Sequence, residues 1–71
     1  MTLGEFLNHI KHKSLNIEVD AMNLGTCHFR FKGTLGEYQT SVVKSEINDE
    51  KLIMVFPSEK TEGLDIYIKE E

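Results

Sequence analysis

The chain reads as a small α+β domain, with one N-terminal amphipathic helix packed on an antiparallel, meander-like sheet of four to five strands. Three observations predict this. Leu3, Phe6, Leu7 and Ile10 recur at helical spacing. Residues 15–31, LNIEVDAMNLGTCHFRF, alternate apolar with polar on either side of a glycine-containing turn. Leu64, Ile66 and Ile68 then alternate with Asp65, Tyr67 and Lys69 near the far end. Seventy-one residues make a single domain, 1–71. A chain of this size buries only about 60% of the surface it exposes unfolded. That allows one core layer and little room for a deep cleft.

The helix is expected over residues 2–13. Thr2 and Glu5 have the spacing of a capping box, and Lys11, His12 and Lys13 place cations in the last turn, where the helix dipole favours them. Ser14 breaks the pattern. In the hairpin that follows, a three-residue loop of Asn23, Leu24 and Gly25 suits a type I turn closed by a left-handed residue. That loop pairs Met22 with Thr26, Glu18 with Arg30, Asp20 with His28 and Asn16 with Lys32. The opposed charges then stabilise the outer side by about 0.2–1 kcal/mol per pair. The same register sets Ile17 against Phe31 and Val19 against Phe29 in the core, with Cys27 beside them as a small buried hydrophobe.

Gly33 ends the second strand. Residues 34–38, TLGEY, nearly repeat residues 2–6, TLGEF. Both have the capping-box form, and one turn of helix or a loop is expected at the second copy. Val43, Ser45 and Ile47 form the inward set of a third strand. A tight turn near Asp49 and Glu50 leads to a fourth, residues 51–56, with Leu52, Met54 and Phe56 facing the helix. Pro57 ends it, because proline cannot donate to a ladder. A polar loop precedes the last strand, and Glu70 and Glu71 are expected to fray. The predicted core is Leu3, Phe6, Leu7, Ile10, Leu15, Ile17, Val19, Phe29, Phe31, Val43, Ile47, Leu52, Met54, Phe56, Leu64, Ile66 and Ile68.

The net charge is −4 and unevenly placed: residues 1–45 carry four acids and five bases, residues 46–71 eight acids and three lysines. This balance argues against the electrostatic attraction that drives non-specific nucleic-acid binding. One cysteine excludes an intramolecular disulfide. No apolar run approaches the ~20 residues of a membrane span, and the N-terminus lacks the pattern of a signal peptide. The expected location is cytoplasmic.

Candidate chemistry is sparse. His9 and His12 lie three apart, with His28 elsewhere, short of the ligand set of a zinc site. Neither glycine-containing turn matches a phosphate-binding fingerprint. No acid–base–nucleophile set can be assembled, so the expectation is a non-enzymatic chain without metal or cofactor. What remains is an outer sheet face. Val42, Ile53, Val55 and Tyr67 point away from the helix in this reading. With the acids Glu59, Glu62 and Asp65 they form the candidate partner-binding set, for another protein or a second copy of the chain. The alternative is a nucleic-acid-binding domain using Arg30, Lys32 and Lys44.

The N-terminal MTL-x-EFL, the strand ending in F-x-G and the late K-L-x-x-x-F resemble small uncharacterised proteins of Gram-positive bacteria and their phages. In size and acidity the chain also resembles anti-CRISPR proteins. The resemblance implies a phage or mobile-element inhibitor of a host defence protein, acting through an acidic surface and the outer sheet face.

Overall fold

The computed structural model describes residues 1–60 and 62–70. The expected fraying of Glu71 lies outside them. In chain order the elements are α1 (Leu3–Leu7), β1 (Asn16–Asn23), β2 (Thr26–Thr34), α2 (Leu35–Gln39), α3 (Val43–Ile47), β3 (Lys51–Pro57) and β4 (Gly63–Lys69).

The α+β class stands, but the sheet is mixed and has four strands in the order β2-β1-β4-β3. The outer pairs are antiparallel and the central pair, β1 and β4, is parallel. A meander requires each strand to lie beside its predecessor. Here α2 and α3 carry the chain over one face between the hairpin and β3, which leaves β4 to insert between β1 and β3. Gly63 permits that insertion, because a Cβ there would collide with the main chain of Asn16 on β1.

Residues 43–47 are helical and not the expected third strand. Val43 and Ile47 stand four apart, a spacing that satisfies the strand period and the helix period alike. The N-terminal helix is also shorter than expected. His9 Nδ1 donates to the Glu5 carbonyl at 2.8 Å, and the chain turns away after Asn8. The diverted segment then caps α2: the Lys13 and Leu15 carbonyls accept from the Gly36 and Leu35 N–H groups at 2.9 and 2.8 Å. Those N–H groups have no partner inside their own helix.

All three helices pack on one face of the sheet. Leu3 and Leu7 of α1, Leu35 and Tyr38 of α2 and Ile47 of α3 are buried in one cluster with Ile17, Val19, Ala21, Ile66 and Ile68. Tyr38 closes it by an edge-on contact with Phe31 and a hydrogen bond from its hydroxyl to Asn48 Oδ1 at 3.1 Å. Among the described residues no helix is long and apolar enough to cross a membrane.

Candidate functional site

Among the described residues no helix packs on the face opposite this core, and two irregularities in the edge strands decide what it displays. The first lies in the hairpin. Its turn has two residues, Leu24 and Gly25, with φ of 50° and 87°, so Asn23 pairs with Thr26 and not Met22 with Thr26. Positive φ at both positions is the type I′ geometry that matches the twist of the strands. Cys27 then pairs with Met22, His28 with Ala21 and Phe29 with Asp20. A bulge at Arg30 shifts the ladder again, so that Phe31 pairs with Val19 and Lys32 with Glu18.

A one-residue slip turns every side chain to the other face. Phe29, expected in the core against Val19, is therefore on the outer face and 64% exposed. Cys27, expected buried, is exposed beside it. The predicted pairs Glu18–Arg30, Asp20–His28 and Asn16–Lys32 are not formed.

The second irregularity is in β3. Leu52 pairs with Ile68, but Met54 pairs with Tyr67, and Ile53 is the extra residue between them. Beyond this bulge Val55 turns inward against the core. Met54 and Phe56, expected inward, turn outward, where Phe56 meets Tyr67 edge-on at 6.0 Å.

Of the residues that the sequence assigned to partner binding, Tyr67 and Asp65 lie on this face. Val55 packs against the core. Ile53 is 44% exposed at the bulge, and Val42 is 83% exposed at the start of α3, away from the strands. Glu59 lies in the connection between β3 and β4, lining the far side of an open groove of about 630 Å³. Asn16, Glu18 and Lys32 line the near side of that groove, with Phe56 and Asp65 between. Glu62 is exposed in the same connection.

The sequence reading turned Cys27, Phe29, Met54 and Phe56 inward and so missed them as members of this surface; Glu18 and Asp20 it placed on the outer side but not in the partner-binding set. The one available signal was Asn23–Gly25, which equally allows a two-residue turn, and that turn exposes Cys27 and Phe29.

Three carboxylates run through the middle of the face. Glu18 and Asp65 are direct neighbours on the parallel central strands, and Asp20 lies one row further on, beside Tyr67. Partial burial, then the charges of Glu18 and Asp65, hold the Asp20 carboxyl above its ordinary value. Tyr67 is pushed up by desolvation and then by the charges of Asp20, Asp65, Cys27 and Glu18.

The three basic residues of the alternative reading are dispersed. Arg30 Nη2 donates to Glu46 Oε1 at 2.8 Å, while its Nε lies 3.4 Å from Glu70 without hydrogen-bond geometry. Lys44 donates to Gln39 Oε1 at 2.6 Å, and Lys32 stands opposite Glu18. They form no common stripe. His9 is held by the Glu5 carbonyl, and His12 lies against Ser14. Among the described residues no three His, Cys, Asp or Glu side chains are placed to hold a metal ion.

No protein-family model matches the chain, and no curated protein or solved structure is significantly similar to it.

Proposed function

We propose that this chain is a cytoplasmic, non-enzymatic protein-interaction module that meets its partner through the uncovered face of the sheet. One observation carries the reading: every helix packs on the other face, while this one exposes Phe29 and Phe56 at 64% and 48% around Tyr67. Aromatic and methionine side chains are enriched at the centres of protein interfaces. Arg30, the guanidinium of the basic set, is already engaged by acids, which favours a protein partner over nucleic acid. In the extended form of the proposal, the partner is a host defence protein that the chain inhibits.

The test is a pair of variants in a tagged chain used to co-purify its partner from cells. Phe29→Ser with Phe56→Ser is expected to keep the fold, because both side chains are already exposed, and to release the partner. Val42→Ser, at a still more exposed position but beside α3, is expected to retain it. Retention by the first and loss by the second would place the interface on the helical side and sink the proposal.

A further inference from the structure

We infer that the occupant of the uncovered face is a basic polypeptide segment, whose arginine or lysine side chains meet Glu18, Asp20 and Asp65 between Phe29 and Phe56. This rests on the reading of that face as an interaction surface and names the chemistry of the partner. The step from surface to partner is made by charge. A wholly apolar partner would bury three carboxylates without a counter-charge, and an unpaired buried charge is strongly unfavourable. Among the described residues no cation is ion-paired with these carboxylates, although Lys32 stands opposite Glu18 and Lys60 lines the same groove as Glu18 and Asp65. Among the described residues the ion pairs all belong to Arg30, on the helical side. Of the lysines near the face, Lys51 and Lys69 stand opposite each other at the far end, and Lys32 sits on the edge strand.

A second copy of the chain fits poorly. A twofold axis through the face and along the strands lays the Glu18–Asp65 row on its own image. One running across the strands lays Asp20 on Asp20. With the first axis between β1 and β4, or the second through the Asp20 row, carboxylate meets carboxylate. A segment bearing cations relieves the repulsion of Glu18 and Asp65, which adds to partial burial in holding the Asp20 carboxyl above its ordinary value. Arginine suits the site better than lysine, because its planar guanidinium can bridge neighbouring carboxylates and stack on aromatic rings at once.

The probe is a blocked seven-residue peptide alternating leucine and arginine, since an extended segment presents every second side chain to one surface. Lysine and glutamate versions serve as comparisons. In an amide chemical-shift titration of the full chain, the arginine peptide should saturate. The perturbed amides should gather at Glu18, Asp20, Phe29, Asp65 and Tyr67. The lysine peptide should bind several-fold more weakly and the glutamate peptide not at all. The triple variant Glu18→Gln, Asp20→Asn, Asp65→Asn should weaken the arginine peptide at least ten-fold while unfolding at no lower temperature.

Absence of saturation, undiminished binding by the triple variant, or shifts centred on Glu46, Asp49 and Glu50 would each overturn the inference. So would sedimentation of the free chain as a dimer that Phe29→Ser disperses. A cellular partner released by Phe29→Ser with Phe56→Ser, yet held by the triple variant, would leave the interaction face standing and remove the basic partner alone.

Discussion

Tyr38 ties two helical segments and the N-terminus to a single point. Its ring is fully buried, and its hydroxyl donates to Asn48, whose backbone carbonyl accepts the Gly4 N–H at 2.9 Å. A Cβ at Gly4 would push aside the Asn48 side-chain amide that accepts from Tyr38. Burial, helped by the charge of Asp49, pushes the phenol up from 10.0 to about 12. The unfolded chain releases this proton near the ordinary value, while the native chain retains it to about 12. The stabilisation is therefore complete below the ordinary value and lost as pH rises through the folded one. Tyr38→Phe should cost about 1 kcal/mol at neutral pH, the net value of a hydrogen bond. It should also flatten the alkaline fall in melting temperature, leaving only the part that belongs to Tyr67, whose phenol is likewise pushed up. Thermal melts from neutral to strongly alkaline pH measure both effects. An unchanged alkaline fall in the variant would show that Asn48 and Tyr38 do not control it.

The two TLGE copies act alike at the scale of the element. In each, the threonine hydroxyl accepts from the glutamate N–H and the glutamate carboxylate accepts from the threonine N–H. The leucine is buried, and the leucine and glycine N–H groups donate to carbonyls two residues apart in a neighbouring segment: Glu50 and Asn48 for the first copy, Leu15 and Lys13 for the second. The boxes hold the Glu5 and Glu37 carboxyls below the usual range, chiefly through the N–H bond of each threonine. This support is present above the ordinary carboxyl value and is lost as pH falls through the lowered one. Thr34→Ala should cost about 1 kcal/mol in urea unfolding, and Thr34→Ser much less. Equal losses in the two variants would mean that the hydroxyl cap is not what holds α2. These boxes were legible in the sequence because a cap is decided within four residues. β4 was legible too: it has no bulge, and Asp65 and Tyr67 face outward as their alternation requires. The rest was not. Alternation cannot announce the inserted residues at Arg30 and Ile53, and each of them reverses the faces beyond it. The bulge at Ile53 turned Met54 and Phe56 outward, the two-residue turn did the same for Cys27 and Phe29, and the bulge at Arg30 returned Phe31 to the core. The edge strands carry these bulges, which also blunt their open ladders against further strand pairing.

Across the whole molecule the central pair sets the limits of stability. Asn16 pairs with Gly63, most of the chain away, and the two buried isoleucines of β4 lie between β1 and β3. The strand made last is thus one that the sheet cannot do without. Burying a large aliphatic side chain contributes about 1.5–3 kcal/mol. Ile66, Ile68 and the partly buried Leu64 together approach the total of about 4–10 kcal/mol expected for a domain of this length. A chain ending at Pro57 loses that contribution and also leaves Ile17 and Val19 without their parallel neighbours. The β1–β2 hairpin and the helices, each only five residues long, cannot compensate, since a two-stranded hairpin is marginal in water. The shortened chain should show no cooperative melt by circular dichroism. In the full chain the slowest amides to exchange should be those of β1 and β4, opening only with global unfolding, ahead of the faster amides beside Arg30 and Ile53. A cooperative transition in the 57-residue fragment, or slow exchange confined to β1 and β2, would locate the stable unit in the N-terminal half and make β4 an accessory strand.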